Sequence, residues 1–75
     1  MYSSDILIHI DESLDDDRIH DLERDLGHER GIVSACVNDR ARHLLLVDFD
    51  PRTLQPRGVL DAVRSRGLHA EMVGL

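Results

Sequence analysis

Asp5-Ile-Leu-Ile-His-Ile-Asp11 and His43-Leu-Leu-Leu-Val-Asp-Phe-Asp50 decide the fold. Each places apolar side chains at alternate positions, the period of a half-buried strand, and each runs into a helix signal. In the first, Ile6, Ile8 and Ile10 share one face, leaving Leu7 and His9 on the other. In the second, Asp48 belongs in water, so alternation sends Leu45, Val47 and Phe49 into the core. Leu44 and Leu46 then take the opposite face.

Working outward, Ser13-Leu-Asp-Asp16 has the Ser-x-x-acid form of a capping box, with Asp17 adding charge that suits a positive helix end. Ile19, Leu22 and Leu26 follow as one helical stripe among charged neighbours. Gly27 and Gly31 bracket the helix end, and either suits a left-handed turn. From Gly31 to Val37 a second strand is predicted, with Val33, Ala35 and Val37 facing the core and Ser34, Cys36 and Asn38 facing away. Asn38-Asp-Arg-Ala41 is turn chemistry. Asp50-Pro51 stops the third strand, and a second helix follows, capped by Thr53 with Pro56 in its first turn. Its buried stripe is Val59, Leu60 and Val63. Gly67 ends it, and Leu68–Val73 forms the fourth strand.

The order strand-helix-strand, repeated, predicts an α+β fold in which two such units interleave as a split βαβ. This is the ferredoxin-like βαββαβ open-faced sandwich, an antiparallel sheet of order 4-1-3-2 with both helices on one face. The 75 residues are read as one domain, 1–75, without a linker. At 41% hydrophobic and 32% charged, the chain is globular rather than disordered. No apolar run nears the ~20 residues a membrane span needs, and Met1-Tyr-Ser-Ser-Asp5 lacks a basic signal-peptide start. A cytoplasmic location is expected.

All nine basic residues are arginine, against fifteen acids, so the formal net charge is −6. That balance opposes nucleic-acid binding, which rests on releasing counterions to a basic face. Two aromatic residues, Tyr2 and Phe49, make no base-stacking platform. The charge is uneven: Asp15–His28 is acidic and Pro51–Arg66 is arginine-rich, which suits mutual attraction between neighbouring helices. With one cysteine there is no internal disulfide and no cysteine-pair metal site.

From Asp5 to Val73 the chain resembles the heavy-metal-associated (HMA) domain, the small fold of copper chaperones and of modules in metal-pumping ATPases. The resemblance rests on Ile19, Leu22 and Leu26, then Gly31-Ile32, Phe49-Asp-Pro51 and Gly67-Leu-His-Ala70. In that family a Cys-x-x-Cys between the first strand and the first helix holds Cu(I), soft sulfur suiting a soft ion. Here the corresponding positions are Asp15 and Arg18, and Arg18 would repel a cation. The resemblance therefore carries the scaffold and leaves the thiol chemistry behind.

The same region carries other candidate ligands. Asp11, Glu12, Asp15, Asp16 and Asp17 offer oxygen ligands but lack the order of a calcium loop, so they read as a solvated helix start. His20 and His28 are eight residues apart and solvated. His43 begins the third strand at the core edge. His9 and His69 are placed as cross-strand neighbours on the helix-free face, where neutral imidazoles suit Zn²⁺ or Cu²⁺ with Asp11 or Glu12 as a third ligand. Cys36, on the same open face, has no neighbour to lower its thiol pKa. No nucleophile setting is legible, and an enzyme is not expected.

Leu7, Leu44 and Leu46, with Cys36, His9 and Val73 around them, form an apolar patch on the open face, and monomers seldom expose such patches unused. The leading expectation is a non-catalytic interaction or regulatory module, without a cofactor, that self-associates or binds a protein partner through Leu7, Cys36, Leu44 and Leu46. The rival is a metal carrier using His9 and His69, its arginine-rich second helix docking an acidic transporter. A third reading is a small-ligand sensor that works as a pair.

Overall fold

The computed structural model describes residues 3–74. Strand β1 (Ser4–Ile10) leads into α1 (Asp16–Gly27), β2 (Ile32–Val37) and β3 (Leu44–Phe49), then α2 (Pro56–Arg64) and β4 (Ala70–Met72). The strands form one antiparallel sheet of order β2-β3-β1-β4, the predicted 4-1-3-2 read from the other edge.

Burial follows the alternation of the central strands. Ile8 and Ile10 on β1 and Leu45, Val47 and Phe49 on β3 are at most 1% exposed. They form one cluster with Ile19, Leu22 and Leu26 of α1 and Val59, Leu60 and Val63 of α2. Both helices thus cover the same sheet face, and each fully buried aliphatic side chain contributes roughly 1.5–3 kcal/mol. Leu7, paired with Leu46, and His9, paired with Leu44, point the other way.

Strand β2 departs from simple alternation. Its register passes from Ile32↔Phe49 to Ser34↔Asp48, two residues on β2 for one on β3. The extra residue is a β-bulge, which reverses sidedness across it. Ile32 therefore takes the core position, whereas Val33, expected inside, is 57% exposed. Beyond the bulge Ala35 and Val37 face the helices, as predicted. The backbone N–H of Val37 donates to Glu23 Oε2 at 2.8 Å, tying α1 to this edge strand.

Both predicted N-caps move. Asp15, not Ser13, accepts the Arg18 N–H at 2.9 Å, because the helix starts at Asp16. Helix α2 starts on Gln55 without a side-chain cap, and Pro56 sits at the first position, where no donor is lost. Thr53 instead donates to Asp50 in the preceding turn, at 3.5 Å. The fourth strand covers Ala70–Met72 only, with flanking bonds from Asp11 N–H to His69 O and from Val73 N–H to Leu7 O. Attraction between the helices rests on Arg66, just past α2, which reaches Asp25 at 2.7 Å and Glu29 at 3.9 Å.

Of the two glycines at the α1 exit, Gly31 is the left-handed one, at φ +95°. Its carbonyl accepts the Asp50 N–H at 2.7 Å, and an added Cβ would lie 2.9 Å from Leu54 Cβ. Gly31→Ala is therefore expected to destabilise the fold by roughly 1–3 kcal/mol in urea unfolding, from strain plus overpacking. Gly27→Ala, where a Cβ meets nothing within 4 Å, should be neutral or stabilising.

Candidate functional site

Two regions hold the residues singled out in the sequence: the β1–α1 end of the molecule and the helix-free sheet face. At the first, Asp15 and Arg18 serve the helix start. The Asp15 carboxylate accepts the backbone N–H of Arg18, which satisfies one orphan donor of the first turn. Asp16 pairs with Arg42, drawing the helix start to the loop before β3. The guanidinium holds the Asp16 carboxyl below its ordinary range, and the carboxylate raises Arg42 in turn.

Glu12 binds the segment entering β4. Its carboxylate accepts the His69 backbone N–H at 2.9 and 3.2 Å and faces His69 Nδ1 at 2.7 Å. These hydrogen bonds lower the Glu12 pKa, the side-chain bond first, and the same bond raises that of His69. The loop between β1 and α1 is thus stitched to β3 on one side and to β4 on the other.

His9 lies opposite Glu71 in the β1–β4 register, and His69 bonds across to Asp11, so the two histidines are diagonal neighbours. Each has its own carboxylate. His9 Nδ1 lies 3.2 Å from Asp11 Oδ1, whereas His69 is held by Glu12. The ring beside His9 is that of His43, with centroids 5.7 Å apart and planes 16° from parallel. His43 Nδ1 in turn lies 2.7 Å from the carbonyl oxygen of Ile10. That pairing had a signal in the sequence, since adjacency of the first and third strands brings the start of β3 to the end of β1. Among the described residues no group of three or more His, Cys, Asp or Glu is placed to hold a metal ion.

On the open face the predicted surface residues do come together. Leu46 stands between Leu7 of β1 and Cys36 of β2 and is 44% exposed. Leu7 and Leu44 are half-buried, and Cys36 is exposed with its thiol 3.6 Å from Val37 O. Asp5 and Asp48 face each other at one end of this patch, Ser34 Oγ donating to Asp48 at 3.0 Å, and the His9–His43 stack occupies the other. No helix is long and apolar enough to cross a membrane among the described residues.

No family model matches this chain, and no curated protein matches it. Solved structures do. A copper-binding domain of HMA7, a P-type ATPase, aligns at TM-score 0.82 and 18% identity over 93% of both chains. The N-terminal domain of a potential copper-translocating P-type ATPase from Bacillus subtilis, solved with Cu(I), aligns at 0.82 and 19%, over 97% of this chain and 90% of that one. The apo copper chaperone of Enterococcus hirae aligns at 0.77 and 18%, over 91% and 98%. The chain therefore has the fold of the heavy-metal-associated domains, at identities that establish the fold and leave function to the site.

The Glu12–His69 pair gives a defined pH response. The His69 share of the stability is complete below its ordinary pKa of 6.5 and is lost as pH rises through its raised value. The Glu12 share is complete above 4.5 and is lost as pH falls through its lowered value. The pair thus contributes in full between those two ordinary values. In Glu12→Gln the NMR titration midpoint of His69 should fall towards 6.5.

Proposed function

We propose that this chain is a small non-catalytic module that uses the copper-chaperone fold for protein contact, and that its open sheet face pairs with a second copy of itself. The observation that carries this reading is the Leu7–Leu46–Leu44 patch at the centre of the helix-free face. The solved structures that share the fold are copper-binding domains and a chaperone, which agrees with a binding module rather than an enzyme. The oxygen and guanidinium groups at positions 15 and 18 argue against thiol-based Cu(I) transfer here, since soft Cu(I) prefers sulfur.

A second copy suits the face because its two ends differ. Asp5 and Asp48 lie at one end and His9 with His43 at the other. A two-fold pairing with strands antiparallel across the interface sets the leucines against their equivalents. It also brings the carboxylates of each copy to the imidazoles of the other. Like carboxylates standing opposite, as Asp5 and Asp48 do, are destabilising within one chain, and an imidazolium from a second copy relieves them.

The size of the face limits the strength. Four strands about 4.8 Å apart, three of them six or seven residues long and β4 only three, give a face at most roughly 20 Å square at about 3.3 Å per residue. Two such faces amount to roughly 800 Å², below the ~1,200–2,000 Å² of stable specific interfaces. A weak dimer, visible only at high concentration, is the expected form.

Sedimentation velocity over a wide concentration range tests this. The wild-type chain should shift from monomer towards dimer as its concentration rises. Leu46→Asp should remain monomeric at every concentration with an unchanged circular dichroism spectrum. A wild-type monomer at millimolar concentration overturns self-association and points to a different protein as the occupant of the face.

A further inference from the structure

The stacked pair His9 and His43 has the features of a half-built metal site. Ile10 O can only accept, so the His43 Nδ1 beside it carries the proton and donates, which fixes the ring. Asp11 Oδ1 lies 3.2 Å from His9 Nδ1 as an ion-pair contact without hydrogen-bond geometry, which leaves the His9 ring able to turn. A carbonyl partner on one ring nitrogen is what orients a metal-ligating histidine and raises the basicity of the other nitrogen. In both rings that other nitrogen, Nε2, has no protein partner among the described residues. The rings also have suitable spacing. Two imidazoles sharing one tetrahedral ion, with metal–nitrogen bonds of about 2.0–2.1 Å, place their centroids roughly 5 Å apart. Here the separation is 5.7 Å.

We propose that His9 and His43 together bind one divalent transition-metal ion through their Nε2 atoms, with the Ile10 carbonyl orienting the His43 ring and water filling the remaining positions. The exposed His9 ring turns about its χ2 angle to bring its nitrogen onto the ion that the fixed His43 ring presents. Imidazole ligands select Zn²⁺, Cu²⁺ or Ni²⁺ over Ca²⁺ or Mg²⁺. His69 is not part of the site, because its ring is drawn to Glu12. The site lies at the end of the open sheet face, beside the β1–α1 loop, and uses neither Asp15 nor Arg18. It needs no second copy of the chain, so it stands or falls separately from self-association.

Calorimetric titration with Zn²⁺, which has no redox chemistry, provides the test, in the wild-type chain and in the Leu46→Asp background. One ion per chain is expected in both. His9→Ala and His43→Ala should each weaken binding by more than about tenfold. His69→Ala and Cys36→Ser should bind as the wild type does. Long-range ¹H–¹⁵N spectra of the wild-type chain add a readout that no variant can confound through misfolding, since Zn²⁺ should move Nε2 of His9 and of His43 together. Absence of Zn²⁺ binding, full affinity in His43→Ala, loss of binding in His69→Ala, or a shift at His9 alone would each overturn the assignment.

Discussion

The rest of the structure depends on the sidedness of its two central strands. Burial of Ile8 and Ile10 with Leu45, Val47 and Phe49 under two helices fixes which way every other residue of β1 and β3 must point. Because side chains alternate strictly, Leu7, His9, Leu44 and Leu46 have no choice of face. A one-residue slip would exchange five core side chains for a set containing His9 and Asp48, and the cost of exposing the first set makes that register inaccessible. The open patch is therefore a consequence of core formation. A chain this short has little net stability beyond its core, so a surface that gains from being covered matters more here than it would in a larger domain.

The loop between β1 and α1 is held by carboxylates. Where the resemblance would place two thiols, Asp15 closes the first turn of α1 and Arg18 contributes the donor that Asp15 accepts. Glu12 and Asp16 anchor the same loop to β4 and β3. These carboxylates are occupied in holding the loop rather than converging on a vacant centre, and the charge they carry is matched locally. The free lone pairs lie elsewhere, on imidazole nitrogens at the end of the sheet.

The order of elements, the sheet topology and the faces of β1 and β3 were legible because each rests on a periodicity that tertiary packing reinforces. Other features depended on choices that the local sequence leaves open. Ile32 and Val33 are adjacent and both β-branched, so either fits the core, and only the bulge against β3 selects Ile32. Ser13, Asp15 and Asp16 can all cap a helix, and the length of the turn leaving β1 selects Asp15. Thr53 is drawn to Asp50 in a turn, which leaves Gln55 and Pro56 to begin α2. Among the histidines, His9 on β1 and His69, which precedes β4 rather than lying on it, are diagonal neighbours. The hydrogen bond of His69 to Glu12 and the stacking of His9 on His43 depend on where three separate segments end, which no single stretch of sequence records.

Methyl–methyl NOE spectroscopy of the chain with Leu, Ile and Val methyls labelled tests this account most directly. Cross-peaks should join the Leu45 methyls to those of α1 and α2, while the Leu46 methyls show contact with Leu7 and none with any helical methyl. Leu46 cross-peaks to Leu22 or Val59 would place the leucines beneath the helices and contradict both the open patch and the placement of the histidines beside it.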